Sequence, residues 1–450
     1  MSSRESLADR PGLRLFLLCT MYVAQGIPWG FTATTIPAYL SAGRLDPALV
    51  GTTLAMTTLP YTFKWAWGPI IDAFTLPRFG RRRPWIIFAQ LMMALTIGTM
   101  IALPDLAESV QTLAWIILIH TVFNALQDVA VDALAVDLLA EAERGRANGL
   151  MYASKYVGGF IGGFCIATAI EYIGMRTALV LQVGTLLAIM IVPLVVRERP
   201  PAADTEARPP VGDVVRGLAE AFSVRSALVC AVLMLCIHFA TGVLSANAFS
   251  LYTGPLGWSA ASYTRLTGGY VLLAGFVGSI AGGFLADVVG RRAMIAIASI
   301  AMAAGWLAFG LAKPWWNELA VIYPLAIYES ATLSIMTVSL FAICMDLSWP
   351  KVAASQFAAY MALSNFSTTL GFLVAGPAKS ILDYDQLYLV AAGVQLAVTA
   401  LLLAIDPTET RRTLPRPPGA RVNPIGVLGL VALLAFLVAM TIYKTITTLS

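Results

Sequence analysis

The chain has 450 residues, of which 58% are hydrophobic and 12% are charged, whereas an ordinary soluble protein carries about 25% charged residues. This composition excludes a soluble domain and indicates an integral membrane protein. The formal net charge of +4 comes from arginines in the loops, so it gives no reason to expect a nucleic-acid partner.

Twelve long apolar segments follow one another along the chain, and each, with its flanks, supplies the roughly 20 residues that a spanning helix requires. The first continues without a short apolar core or an A-x-A site, which predicts a retained helix and no signal peptide. A thirteenth segment, GVLGLVALLAFLVAMTIY, lies at 426–443. The twelve lie near 15–22, 47–63, 85–103, 111–127, 147–170, 177–196, 227–250, 266–286, 293–312, 319–345, 352–378 and 386–405.

The basic residues predict the orientation. If the amino terminus is cytoplasmic, 21 of the 29 lysines and arginines fall on the cytoplasmic side, and only Arg44, Arg176, Lys313, Lys379 and Lys444 fall on the other. The positive-inside rule therefore predicts a cytoplasmic amino terminus.

One long polar interruption, residues 197–225, divides the chain near its middle. Its first half is rich in proline and is predicted to be irregular. Its second half places Val211, Val214, Val215, Leu218 and Phe222 on one helical face, which predicts a short helix on the cytoplasmic surface. The predicted units are a six-helix bundle at 1–196, the linker at 197–225, a second six-helix bundle at 226–406, a basic loop at 407–423 and an additional spanning helix at 424–450.

Two loops carry the same signature at corresponding places in the two halves. GPIIDAFTLPRFGRRR follows helix 2 and GGFLADVVGRR follows helix 8. Such a match indicates an internal repeat, as in many secondary transporters. We expect the aspartate of each loop to latch one conformational state with its arginines; a solvated basic loop that only sets topology is the alternative. The predicted latch residues are Asp72, Arg81, Arg82, Asp287, Arg291 and Arg292.

The pattern G-x-x-x-D-x-x-G-R-R, repeated around a 6+6 arrangement, resembles the major facilitator superfamily; the first copy has a longer spacer. YVAQGIPWGF, FKWAWGPIID, FGRRRPWIIFAQ and QDVAVDALAVDLLAEAERG resemble its AmpG-like branch of muropeptide permeases and acetyl-CoA transporters. The resemblance implies an all-α membrane fold of two six-helix halves with pseudo-twofold symmetry, here with an extra C-terminal helix.

That resemblance also implies a proton-coupled, alternating-access transporter that acts as a monomer in the bacterial inner membrane. Its expected partners are a small-molecule substrate, protons and the lipid bilayer. The expected substrate is a peptidoglycan-derived anhydromuropeptide; a siderophore or an acyl-CoA-type conjugate is the alternative.

Helix 4 carries polar residues at membrane depth. Asn124, Asp128 and Asp132 are spaced i, i+4, i+8 and form one stripe, and Asp128 lies roughly 15 Å from the cytoplasmic end. A charge at this depth costs about 2.5–3.5 kcal/mol, so we expect both aspartates to face partners inside the protein. Lys64 and Lys155 reach about the same depth. The four predict a network that loads and releases a proton, with Asp128 the first choice because it is deeper; a static salt-bridge network is the alternative.

Further polar and aromatic residues lie within the predicted spans. Glu329 in helix 10 is a candidate for proton or substrate; a glutamate that is only hydrogen-bonded to a neighbour is the alternative. His238 in helix 7 is a candidate for a proton relay, although a lone histidine is more often a packing residue. Gln25, Asn247 and Asn365 are candidates to hydrogen-bond a ligand. Tyr22, Trp29, Tyr61 and Tyr328 offer stacking faces, although such residues also anchor helices at interfaces.

Enzyme motifs are missing from the sequence. It contains no HExxH, GxSxG or Walker A lysine, only two histidines, and five cysteines without a CxxC pair. We therefore expect no metal, no cofactor and no enzyme activity, and coupling to an ion gradient in the absence of an ATP site. A membrane enzyme and a non-transporting sensor are the alternatives from other classes.

Overall fold

The computed structural model describes residues 7, 10–36, 60–61, 63–74, 80–103, 105–106, 108–198 and 211–415. Every regular element in these ranges is helical. The predicted thirteenth helix and residues 416–423 of the basic loop before it lie outside the described residues. The helices of the first half are α1 Pro11–Gly30, α2 Trp67–Ala73, α3 Arg83–Met100, α4 Val110–Leu138, α5 Arg144–Phe160 and α6 Ile166–Val195.

The second half follows the same order. Its helices are α7, which consists of Arg225–Cys236 and Phe239–Thr253, then α8 Leu272–Val289, α9 Arg291–Leu311, α10 Leu319–Leu347, α11 Ala353–Ile381 and α12 Tyr384–Thr399. Two short elements lie outside the bundles. A surface helix at Val211–Phe222 precedes α7, and a tail helix at Glu409–Thr413 follows α12.

The helices have the length and surface of membrane spans. Eight described helical stretches are long and apolar enough to cross a bilayer. One of them, Glu141–Val195, contains both α5 and α6, which a π-helical segment at Ile161–Cys165 joins. The backbone breaks inside α6, at Gly174, whose φ of 75° favours glycine. Only 28% of the most apolar window of this stretch is buried, as expected of helices that face lipid.

The two halves are related by a constant shift along the chain. α4 and α10 each contain 29 residues, and a shift of 209 positions carries one onto the other. The same shift carries Arg82 onto Arg291 and Asp137 onto Asp346. The internal repeat indicated by the loops therefore extends through the helices, with the longer spacer of the first loop as an insertion.

Glycines bring helices of opposite halves into close contact. A Cβ on Gly149 of α5 would lie 2.9 Å from the Cα of Gly283 on α8. In the equivalent contact, a Cβ on Gly68 of α2 would lie 2.5 Å from the Cα of Ser355 on α11. Only glycine permits these approaches. The pairs α5–α8 and α2–α11 thus form two seams between the halves.

The surface helix packs beneath α2 and the start of α7. Val214, Leu218 and Phe222 are buried, whereas Val215 is 55% exposed. Val214 belongs to a small apolar cluster with Ala73 at the end of α2 and Val352 before α11. The linker therefore contacts both halves.

Candidate functional site

A cavity of about 250 Å³ lies between the two halves. One wall consists of side chains from α1, α4, α5 and the segment before α2, and the other of side chains from α7, α10 and α11. The first wall contains Tyr22, Tyr61, Lys64, Asp128, Asp132, Tyr152, Lys155 and Tyr156. The second contains His238, Thr241, Leu333, Ser334, Thr337, Phe341, Met361, Ser364, Asn365 and Thr368.

Asp128 and Lys64 form a buried ion pair in this cavity. Lys64 Nζ lies 2.9 Å from Asp128 Oδ2, and the two side chains are 5% and 9% exposed. Lys64 is placed by a 3-10 turn, Lys64–Ala66, at the start of α2. Removing one partner of a buried pair typically costs about 3–5 kcal/mol, because the other charge is left uncompensated. Each residue therefore requires the other in this conformation.

Asp132 has a different partner. The phenol of Tyr22 on α1 donates a hydrogen bond of 2.5 Å to Asp132 Oδ1, and both residues are buried. No lysine or arginine among the described residues forms an ion pair with this carboxylate. Asp132 is therefore held by a neutral donor, which serves the protonated and the ionised carboxyl alike.

Lys155 completes the charged wall. It lies on α5, half-buried, and lines the same cavity. Within the described ranges, no carboxylate oxygen lies within salt-bridge distance of its Nζ. The structure thus brings the four predicted network residues to one cavity but pairs only two of them.

The opposite wall carries no charge at the equivalent positions. The shift of 209 residues carries Asp128 onto Thr337, Asp132 onto Phe341 and Lys155 onto Ser364. All three of these residues line the cavity. The two walls are therefore equivalent in backbone position and unlike in electrostatics.

Glu329 lies outside the cavity. Its Oε1 accepts a 2.8 Å hydrogen bond from the indole of Trp306 on α9. The shift relates Glu329 to His120, whose Nδ1 lies 2.9 Å from Thr96 Oγ1 on α3. Both are contacts between adjacent helices of one half, so Glu329 occupies a different depth and face from Asp128.

The other candidates divide into two groups. Tyr61, His238 and Asn365 line the cavity. The second group does not line the cavity and includes Asn247, which donates to the carbonyls of Val243 and Ala375 at 3.0 and 3.3 Å. The remaining candidates lie elsewhere: Gln25 and Asn124 are buried in the first half, and Trp29 and Tyr328 are 41% and 40% exposed.

The two loop aspartates each cap a helix of the opposite half. Asp72 accepts hydrogen bonds from the backbone N–H and hydroxyl of Ser355 at 2.9 and 2.8 Å. Asp287 accepts from the N–H groups of Gly145 and Arg146, both at 2.9 Å. A carboxylate at a helix N-terminus satisfies free N–H groups and is favoured by the helix dipole. These contacts hold α11 and α5 against the other half.

Arginines surround each cap. Arg82 contacts Asp72 at 2.8 Å and Asp137 at 2.9 Å, and Arg81 contacts Asp72 at 3.3 Å. In the second half Arg291 pairs with Asp346, which Arg144 of the first half also contacts at 2.8 Å. We call this face of the molecule the arginine-rich end. Arg292 differs from the other predicted latch residues, since it donates to the carbonyl of Ile405 at 3.1 Å.

The tail helix adds a further contact across the arginine-rich end. Arg411 forms an ion pair with Glu141, which precedes α5, and lies 3.7 Å from Asp346 at the end of α10. Glu409 accepts a 2.9 Å hydrogen bond from the N–H of Ser226 at the start of α7. The tail helix therefore connects both halves on the face where they meet.

Comparison with known proteins decides the family. The model of the Major Facilitator Superfamily matches residues 18–372. The chain belongs to the major facilitator superfamily. It is thus a membrane transporter and not an enzyme, with the predicted all-α architecture.

Relatives and solved structures agree with this assignment. The anhydromuropeptide permease of Escherichia coli K12 is 26% identical over 407 residues, which cover 88% of this chain and 80% of that protein. The putative transporter AmpG 4 of Rickettsia conorii is 23% identical, covering 87% and 95%. The resemblance to the AmpG-like branch is confirmed.

Two solved transporter structures share the fold. The human organic anion transporter MFSD10 (TETRAN) superposes with a TM-score of 0.71 at 12% identity, over 87% of this chain and all of that one. The Escherichia coli fucose:proton symporter superposes with a TM-score of 0.66 at 13% identity, over 87% and 98%.

Proposed function

We propose that the protein is a proton-coupled importer of a peptidoglycan-derived anhydromuropeptide, working as a monomer by alternating access in the bacterial inner membrane. In this proposal the arginine-rich end faces the cytoplasm, together with the amino terminus. The observation that carries the proposal is the cavity between the halves, with two carboxylates and two amines on one wall.

The placement of the two aspartates supports proton coupling. A purely structural network would satisfy every charge, because an unpaired buried charge is costly. Here Asp128 is neutralised by Lys64, while Asp132 holds only the Tyr22 phenol as a described hydrogen-bond partner. This geometry favours Asp132 over the deeper Asp128 as the group that takes up the proton.

The contacts between halves support a closed cytoplasmic gate. The two helix caps, the Arg144–Asp346 pair and the tail helix all lie at the arginine-rich end. A transporter closed at this end is in the state of the alternating-access cycle in which an importer receives its substrate from the other side. Opening requires both caps to release, as expected for rocking of one half against the other.

The substrate class rests on the relatives and on the cavity lining. The Escherichia coli relative is an anhydromuropeptide permease, and the second wall offers Ser364, Asn365 and Thr368 for hydrogen bonds. The volume of about 250 Å³ is smaller than that of a usual ligand pocket, roughly 300–1,000 Å³. We expect the halves to separate further on the open side when a disaccharide-peptide binds.

Uptake into proteoliposomes tests the coupling. With a labelled anhydromuropeptide outside, an inward proton gradient is expected to drive accumulation by the natural protein. Asp132→Asn is expected to abolish gradient-driven accumulation and retain counterflow, because the amide still accepts from Tyr22 but takes up no proton. Asp128→Asn is expected to lower the free energy of unfolding by about 3–5 kcal/mol, because it leaves Lys64 unpaired.

The control is Asp385→Asn, the same change in a carboxylate that pairs with Lys313 on the surface. It should leave uptake unchanged. If Asp132→Asn still accumulates the peptide in response to a proton gradient, the assignment of Asp132 is refuted. If the natural protein transports other solutes but no muropeptide, the proposed substrate is refuted.

A further inference from the structure

We infer that the transported substrate carries an anionic group that binds the ammonium of Lys155, so that this residue selects anions over neutral analogues. The inference rests on the proposed function and deepens it, since it names the recognised group and the residue that recognises it.

Lys64 has a carboxylate in direct contact, and Lys155 has none in direct contact among the residues that the structure describes. Lys64 lies 2.9 Å from Asp128 in a contact hardly exposed to solvent. Lys155 lines the cavity from α5 with no ion pair or hydrogen bond to any described residue. An ammonium at membrane depth is costly unless it meets an anion or water, so the conformation presents one cation to whatever enters the cavity.

The groups around Lys155 determine when it attracts an anion. α1 contributes Tyr22 and α4 contributes Asp128 and Asp132. α5 itself adds Tyr152 and Tyr156, the segment before α2 adds Lys64 and Tyr61, and α7 adds His238. α10 and α11 contribute hydroxyl, amide and apolar side chains only. With two ammonium groups and two ionised carboxylates, the cavity is neutral.

Proton uptake changes this balance. When Asp132 binds a proton, the cavity carries one net positive charge, and Lys155 is the cation without a described partner. An anionic substrate restores neutrality; a neutral one does not. Proton and anion therefore favour each other's binding, which couples their movement without direct contact between them. A protonated His238 would act in the same direction from the opposite wall.

The rival explanation is a solvated Lys155 that only tunes Asp128 and Asp132. It predicts that replacing Lys155 changes the pH dependence of transport while the preference among substrates stays the same. If Lys155 binds the anion, replacing it instead removes the preference for the anionic substrate over its neutral analogue. The two explanations are separated by the chemistry of the substrate.

The experiment compares two matched compounds by counterflow in proteoliposomes without a proton gradient. One is a labelled anhydromuropeptide; the other is the same compound with every carboxyl converted to a primary amide. The natural protein is expected to prefer the acid at least tenfold, more strongly at pH 6 than at pH 8. Lys155→Gln should bring the ratio to within about twofold of one, and Lys155→Arg should largely retain the preference. Asp132→Asn should show the same preference at both pH values.

Folding of each variant is checked by its melting temperature in detergent. A folded Lys155→Gln that still prefers the acid tenfold overturns the inference and leaves the proposed function intact. If both lysine variants are misfolded, the ratio measured for the natural protein decides: equal transport of acid and amide overturns the inference. If the natural protein carries neither compound, the proposed substrate and the inference fail together.

Discussion

The cap formed by Asp287 leads to a specific expectation about the closed gate. Its carboxylate accepts two hydrogen bonds of 2.9 Å from the N-terminus of α5, across the seam between α5 and α8. Asp287→Asn keeps the shape of the side chain. The amide oxygen accepts one N–H, and the amide NH₂ meets the other N–H without bonding to it.

The size of the effect follows from this loss. A hydrogen bond to a charged group contributes about 1.5–3 kcal/mol, and a carboxylate at a helix N-terminus contributes about 0.3–1 kcal/mol in addition. The open state recovers part of this through hydration, so we expect the closed state to lose about 2 kcal/mol relative to the open one. Since about 1.4 kcal/mol is tenfold, the open population should rise about 30-fold.

Alkylation of a single cysteine measures that population. Ser279 on α8 is fully buried, and a Cβ on Gly149 of α5 would lie 2.6 Å from its carbonyl oxygen. Ser279→Cys, in a protein with the five natural cysteines replaced, should react with a maleimide only when the seam opens. Adding Asp287→Asn should raise the rate about 30-fold. Ser299→Cys, buried between α9 and α12, should remain slow if the variant opens the gate without unfolding.

The matched control is again Asp385→Asn. Its partner Lys313 lies at 2.7 Å outside the spans, and this hydrogen bond raises the pKa of Lys313 above its usual 10.5. The pair is therefore complete between pH 6 and 8, because Lys313 loses its proton only as the pH rises past the raised value and an aspartate takes up a proton only in acid. The charge state of the control pair does not change over this range. Equal alkylation rates in Asp287→Asn and the control would refute the role of the cap.

Two further expectations use the same assays. Arg411→Gln should raise the Ser279→Cys alkylation rate about fivefold, because the exposed ion pairs that it removes are worth about 1 kcal/mol together; an unchanged rate would show that the tail helix does not hold the gate. Glu329→Gln should leave proton-driven uptake within about twofold of the natural protein, because the amide still accepts from Trp306 outside the cavity; loss of the proton dependence would place a coupling site in the second half.

The inward direction of the helix 4 aspartates could be predicted from sequence, because spacing and membrane depth leave a buried carboxylate nowhere else to point. The depths of Lys64 and Lys155 then predicted a shared layer. Which lysine pairs with which aspartate could not be predicted, since that depends on helix rotation and on the 3-10 turn at Lys64. The hydrogen bond from Tyr22 to Asp132 depends on how α1 crosses α4, which local sequence patterns do not predict.

The position of Glu329 could be predicted from the sequence, but only after helices 4 and 10 are aligned residue by residue. Matching the two helices through Asp137 and Asp346 relates Glu329 to His120, two turns from Asp128, and so indicates a contact within one half. The pairing of Arg411 with Glu141 has no such signal, because it joins residues far apart in the chain through a loop conformation. Long-range contacts between loops, such as this one, could not be predicted from sequence patterns.

The constant shift between the halves distinguishes features that occur in both halves from features that occur in only one. The caps that close the arginine-rich end occur twice, as Asp72 with Ser355 and Asp287 with Gly145, and each one joins a loop of one half to a helix of the other. The charges that line the cavity occur once, on a single wall. A descendant could therefore acquire a new cargo by altering Thr337 or Ser364 while inheriting the closing machinery unchanged.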